Sequence, residues 1–325
     1  MAKRAPKASR LKRGPRSPPK PLAPGGPSGS PAGRTETHST ERYVRDELYR
    51  RLKAIGDLLR CDVITCINPI QQPYDDFIRD IVEDIKPKQK SLLVILETNG
   101  GSIETVERIA DGIFRQHYPN DVQFLVPNFA MSAGTILVMS GDTIYMDYYS
   151  ILGPIDPQVR NREGNYVPAL GYLEKYRELV EKSKKGGLTQ AELALFVQKF
   201  DLAELHRFEQ AHDHSIDLLK KWLVKYKFKN WNETRDRKLK VTPAMREKSA
   251  AKIAGQLNET KRWRSHGRGL SIGVIEEELN LRIENFGTND ALNRCVRAYY
   301  RLLQDYLVSH QHNVVMHGPR SFFSF

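Results

Sequence analysis

Two stretches decide the fold, SLLVILETNGGS (residues 91–102) and VQFLVPNFAMSAGTILVM (residues 122–139). Each opens with a short apolar run, LLVIL and VQFLV, of the kind that a strand buried on both faces requires. Each then passes through a corner of small residues into a helical pattern. In the first, Asn99-Gly100-Gly101 allows a sharp turn, and a helix is predicted from about Ser102 to Gln116. In the second, Ala130, Ser132, Ala133 and Gly134 crowd the corner, and a helix is predicted from about Ser132 to Met139.

Outward from these stretches the same alternation continues. DVITCI (62–67) reads as a strand, PYDDFIRDIVEDI (73–85) as a helix with Pro73 at its start, and TIYM (143–146) as a short strand. Three strand-to-helix crossovers in succession predict an α/β fold with a mainly parallel sheet. Ahead of it, Val44, Leu48, Leu52, Ile55 and Leu59 recur at helical spacing, so order is predicted to begin near Glu41 with a helix packed on the core. After Pro157 the pattern turns helical. Helices are predicted over about 168–182, over 188–227 in two pieces, over 243–257 with Thr242 as cap and Pro243 in the first turn, and over about 288–307. The last carries Leu292, Val296, Tyr299, Leu303 and Tyr306 on one face, and FKNWNETRDRKLK (228–240) reads as a polar surface linker. The expected organisation is a tail (1–40), an α/β portion (41–160) and a helical portion (161–310) within one domain running from 41 to 325.

Residues 1–40 are Pro, Gly, Ser, Lys and Arg with almost nothing to bury, and are expected to be disordered. They hold nine Lys or Arg against the single Glu36, so most of the chain's formal charge of +12 sits there. The basic balance therefore describes the tail, where transient contact with nucleic acid or acidic lipid is conceivable, and gives the body no such partner. Cys61, Cys66 and Cys295 form no CxxC pair and no Cys/His set with zinc spacing, as expected of reduced, buried thiols in a cytoplasmic protein. No stretch approaches the about 18 apolar residues that span a bilayer, so stable membrane insertion is not expected.

The two corners carry chemistry. Backbone N–H groups at Gly100 and Gly101, at the positive end of the following helix, can hold an oxyanion or a substrate backbone. Read alone, the pair also fits an ordinary strand-to-helix turn. Ser132 has its hydroxyl at a helix start, where the N–H of Ala133 can point to the same spot as that of Gly100 or Gly101. A capping role for Ser132 is the plain alternative, but it leaves the run of small residues unexplained.

NGGS followed by AMSAGT and then DTIYMDYYSILGPIDPQ (142–158) resembles the serine dehydrogenase proteinase family, related to signal peptide peptidase A and the Clp proteolytic subunit. The resemblance is strongest over 91–159 and extends more weakly through RWRSHGRGLSIGVIEE (262–277). It implies a Clp protease/crotonase-type core, Ser132 as nucleophile, and Gly100, Gly101 and Ala133 around the oxyanion. It also implies peptide or protein substrates, no cofactor or metal, and a ring or stack of subunits, so a homo-oligomer of four or more is expected. Asn99, Asp156 and His266 fall in the same motif regions and are candidates for the substrate side.

A neutral serine needs a proton acceptor within hydrogen-bond reach. Where the Clp subunit has its triad histidine, this chain reads GPIDPQ with Asp156. Relatives of the signal peptide peptidase type use a lysine some forty residues after the serine, a place that Lys175 fits. In PALGYLEKYRELVEK, Lys175 borders the apolar stripe Tyr172, Leu173, Tyr176, Leu179 and Val180, where partial desolvation lowers a lysine pKa. A snorkelling lysine is the alternative role, with Lys182, Lys184 and Lys185 as substitute bases. His206, His212 and His214 have loose ligand spacing, but a charged amphipathic helix produces that readily, and no metal is assigned. Two rival functions remain. Acyl-CoA chemistry on the same fold would draw on Glu97 and Asp156, and a silent scaffold or tail-mediated nucleic-acid binder would need no nucleophile.

Overall fold

The computed structural model describes residues 32–155, 158–160, 166–199, 201–234, 238–263, 265 and 267–325. Its first half alternates helix and strand. In order come α1 (Ala32–Leu59), β1 (Asp62–Ile67), α2 (Tyr74–Asp84), β2 (Leu92–Glu97) and α3 (Ile103–Glu107), which continues through a π-helical segment (Arg108–Phe114) into α4 (Arg115–His117). Then follow β3 (Val122–Leu125), β4 (Phe129–Ala130), α5 (Ala133–Met139), β5 (Thr143–Met146) and β6 (Ile151–Leu152). A hairpin of β7 (Gln158–Arg160) and β8 (Tyr166–Pro168) leads to α6 (Ala169–Lys184), α7 (Gln190–Lys199) and α8 (Leu202–Trp222), which ends in a second π-helical segment (Leu223–Lys227). After α9 (Pro243–Asn258), α10 (Thr260–Trp263), α11 (Ile272–Glu277) and β9 (Glu284–Asn285), the chain closes with α12 (Asp290–His310), β10 (Val315–His317) and β11 (Phe322–Ser324).

The main sheet has the order β11-β10-β1-β2-β3-β5-β9. From β1 to β9 all pairs are parallel, and only β10 and β11 run antiparallel at the edge. The expected mainly parallel α/β sheet is therefore present. Alternation along the strands divides the core in two. Leu92, Val94 and Leu96 of β2 pack with α2, α3 and α5, whereas Leu93 and Ile95 pack with Leu48, Leu52 and Ile55 of α1 and with Val296, Tyr299 and Leu303 of α12. All five residues predicted to form the inner face of α12 are buried. Thr242 caps α9, accepting from the Met245 N–H at 3.3 Å.

Several boundaries differ from the sequence reading. Helix α1 starts at Ala32, ahead of Glu41. The helix predicted over 102–116 contains a π-helical segment, a register change with no marker in a 3.6-residue apolar pattern. The strands β7 to β11 were not predicted, because two or three residues are too few to show a period of two. The stretch 228–240 is not wholly a surface linker. Phe228 is buried, Trp231 lies against it at 5.4 Å, and Lys229 pairs with the buried Asp142. Along 188–210, Leu205 is buried and Leu193 is exposed.

Candidate active site

Ser132 sits at the corner between β4 and α5, and its backbone is strained. It has φ 53 and ψ −121, a conformation that costs a residue with a Cβ about 1–3 kcal/mol. It occupies the cap position of α5, yet its side chain makes no capping hydrogen bond. The plain alternative of a helix-capping serine therefore fails. A strained serine on a strand-to-helix turn, with no side-chain hydrogen bond to the helix amides, is the kind of corner on which a nucleophile elbow is built.

The surroundings hold that geometry in place. Ahead of the serine, Thr98 and Ala130 form a parallel bridge, with Thr98 N–H donating to Phe129 O at 3.2 Å and Met131 N–H to Thr98 O at 2.9 Å. On the other side β4 pairs with β6, and the Ile151 and Gly153 N–H groups donate to Asn128 O and Ala130 O. The buried Thr135 hydroxyl lies 2.8 Å from both Ala130 O and Gly153 O and accepts from the Gly153 N–H at 3.0 Å. Gly134 has to be small, since a Cβ there would stand 2.3 Å from Thr98 Cγ2. Thr98 and Thr135 were not singled out from sequence, because a threonine in a strand or an apolar helix carries no signal of the carbonyls it will meet.

The glycine turn lies directly against Ser132. A Cβ on Gly100 (φ 107) would stand 2.9 Å from Met131 O, 3.0 Å from Ser132 Cβ and 3.2 Å from Ala133 N. Among the three expected donors the structure distinguishes one. The Gly100 N–H already donates to Thr98 Oγ1 at 3.0 Å, while those of Gly101 and Ala133 have no partner among the described residues. Gly101 is held by β1's extension, Ile70 N–H to Gly100 O at 2.9 Å and Ser102 N–H to Ile70 O at 2.8 Å. Asn99 is exposed at the tip of the turn.

Lys175 is in a different setting from the one expected. Its Nζ donates to Glu178 at 2.9 Å and its side chain is 66% exposed. The hydrogen bond to Glu178 and that carboxylate's charge push its pKa up, so the expected lowering by desolvation is not present in this conformation. The physical reason is the packing of α6. Among the described side chains of α6 only Leu173 is fully buried, in a small cluster with Leu205 and Phe208 of α8 flanked by Tyr172 and Tyr176, and Lys175 lies outside it. Lys182 and Lys184 are paired with Glu192 and Glu181. Asp156 and His266 lie outside the described residues. His212 contacts Asp213 and His214 contacts Glu107, and no group of metal-ligand residues occurs among the described residues. Glu97 is bonded by Tyr300 of α12 and by Asn128 of the loop between β3 and β4, and burial raises its pKa. No helix among the described residues is long and apolar enough to cross a membrane.

Comparison with known proteins agrees with this arrangement. A family described as ClpP-like SDH-type serine proteinase matches residues 72–234, half of the chain and the whole of both corners. The chain belongs to that family. It is the one that NGGS and AMSAGT resembled. Two uncharacterized proteins of Methanocaldococcus jannaschii are 37% identical over 73 residues and 32% identical over 98 residues. These matches take in 22% and 30% of this chain, and the chain spans only 25% and 31% of the length of those proteins. Among solved structures it is similar to a 1510-N membrane-bound stomatin-specific protease, once as a mutant and once as another mutant with a substrate peptide. Identities are 14% and 15% with TM-scores of 0.40 and 0.36, covering 70% and 65% of this chain and 79% and 68% of those chains.

Proposed function

We propose that this chain is a serine peptidase that cleaves peptide bonds through an acyl-enzyme on Ser132. The observation that carries the reading is the strained, uncapped Ser132 backbone set against a glycine turn. Such strain persists only where the surroundings over-determine it. Ser132 Oγ attacks the substrate carbonyl as its proton passes to the base, and the Gly101 and Ala133 amides receive the oxyanion. When the tetrahedral intermediate collapses, the protonated base gives its proton to the leaving amine. Water, deprotonated by the same base, then releases the acid and regenerates the serine.

Lys175 is the proposed base, on the strength of the family resemblance and its place on the helix that follows the nucleophile. In this role its amine exchanges Glu178 for Ser132, and Asn99, Asp156 and His266 stand on the substrate side. The substrates are peptides or proteins met in the cytoplasm, the domain runs from 41 to 325, and the working form is a homo-oligomer. The decisive experiment uses a fluorophosphonate probe and a proteome-derived peptide library. The wild-type chain is expected to be labelled and to cleave peptides, and Ser132→Ala to do neither. Equal labelling of both proteins would sink the assignment.

A further inference from the structure

The C-terminal helix reaches the nucleophile corner through two side chains. Arg297 and Tyr300 stand one turn apart on α12, and between them they touch the loops that leave the carboxyl ends of β2, β3 and β5. Tyr300 donates its hydroxyl to Glu97, the last residue of β2, and accepts from Asn128 Nδ2 at 3.3 Å. Arg297 Nη1 donates to Pro127 O at 3.2 Å, and Nη2 pairs with Asp147, which is 1% exposed. Asp147 in turn fixes the turn into β6, accepting from the Tyr149 and Ser150 N–H groups and from the Ser150 hydroxyl, which can also donate to Val126 O.

Each tie lands on chain that feeds the site. Glu97 leads into the turn of Asn99, Gly100 and Gly101, Pro127 and Asn128 lead into Ser132, and Asp147 leads into the strand that pairs with β4. The donor turn and the nucleophile therefore share a common anchor, Tyr300, from 203 and 172 residues away in sequence. We propose that Tyr300 and Arg297 are positioning residues for Ser132, holding the oxyanion donors and the serine at one fixed separation. The inference rests on the peptidase reading for its catalytic consequence, while the clamp itself is a property of the loops. A displacement of one ångström in such a site costs about a hundredfold in rate, so a clamp of this kind has a large effect at little structural change.

The test compares the wild type with Tyr300→Phe, which keeps the ring and removes the two-sided hydroxyl, and with Val308→Ala on the exposed side of the same helix as control. Hydrogen exchange of peptides spanning 97–103 and 126–136 is expected to speed up in Tyr300→Phe, with β1 and β2 unchanged. The rate of fluorophosphonate labelling is expected to fall by about tenfold or more. The fall is expected in the limiting rate at saturating probe, with the half-saturating concentration unchanged, because the clamp sets the separation of the donors and the serine and not the entry of the probe. Loss of folded protein alone would lower the amplitude of labelling and leave the rate of what remains unchanged. Unchanged exchange in both loops overturns the clamp, and faster exchange with an unaltered labelling rate overturns its role in positioning. If the wild type is never labelled, the peptidase reading fails and the exchange data still decide whether the clamp exists.

Discussion

Around Ser132 the backbone is fixed from three sides, by the bridge to Thr98, by the pairing of β4 with β6 and by the Thr135 hydroxyl between two carbonyls. Around Lys175 the helix α6 rests on α8 through a cluster that includes the buried Leu173, Leu205 and Phe208, and among the described residues the amine is tied to a neighbouring carboxylate on its own helix. The proposed nucleophile and the proposed base are therefore built to different tolerances. A strained turn needs redundant support, whereas a lysine on a lightly packed helix can change partners at small cost. The difference assigns rate to the corner and its onset with pH to the helix.

The most damaging change should be at the corner. In Gly101→Ala the new Cβ would stand 2.0 Å from Ile70 O, a backbone atom that cannot give way without opening the bridge to β1's extension. Loss of one oxyanion donor costs about 10²- to 10³-fold in rate, and displacement of the turn adds to it. Labelling should drop at least that far while far-UV circular dichroism stays native. Labelling within a few-fold of wild type would remove Gly101 from the site and leave Ala133 as the only free donor.

The helix should answer differently. Lys175→Met should cut labelling by about 10²- to 10⁴-fold, the usual range for losing a general base, with little change in stability because the side chain is exposed. Glu178→Gln should instead favour labelling. Glu178 is what raises the Lys175 pKa, so its removal increases the neutral amine at a given pH and shifts the onset of labelling to lower pH. If Lys175→Met keeps wild-type labelling, the base lies elsewhere, and Lys185 is the next lysine to change.

How much of this was legible in sequence follows the same division. The strands and corners were readable because buried parallel strands give unbroken apolar runs and because glycine and small residues mark places where a Cβ cannot fit. Gly100, Gly101, Ser132 and Ala133 thus came out together. The setting of Lys175 did not, since an apolar stripe says which face is buried but not how deeply, and among its described side chains α6 buries only Leu173 completely. Nor could the sequence show that Gly100's N–H is used by Thr98, or that Arg297 and Tyr300 reach back to the loops. Those contacts join residues far apart in the chain and depend on where α12 docks.

The smallest effect tests the tightly built side of the comparison at its own weak point, the buried His317 on β10. The ring is fully buried, its Nδ1 lies 2.9 Å from the Tyr299 hydroxyl, and that hydroxyl is 2.8 Å from Thr65 Oγ1. Its Nε2 has no hydrogen-bond partner among the described residues, and the Tyr49 ring packs edge-on at 4.7 Å. Burial holds the pKa at about 3, against about 6.5 for a free histidine. Between those values the unfolded chain binds a proton that the folded one refuses. Stability is therefore full above pH 6.5 and declines as the pH falls toward 3, at up to about 1.4 kcal/mol per pH unit from this group. Glu97 acts in the opposite sense, because its raised pKa favours the folded state on protonation, so the contribution of His317 has to be read as a difference between proteins. His317→Phe keeps the contacts with Tyr49 and Phe322 but removes a hydrogen-bond partner of Tyr299, and should cost about 1 kcal/mol at pH 7.5. That deficit should shrink and then reverse as thermal unfolding is followed from pH 7.5 down to pH 5. Parallel melting curves for the two proteins across that range would show that the acid sensitivity of the core resides in another group.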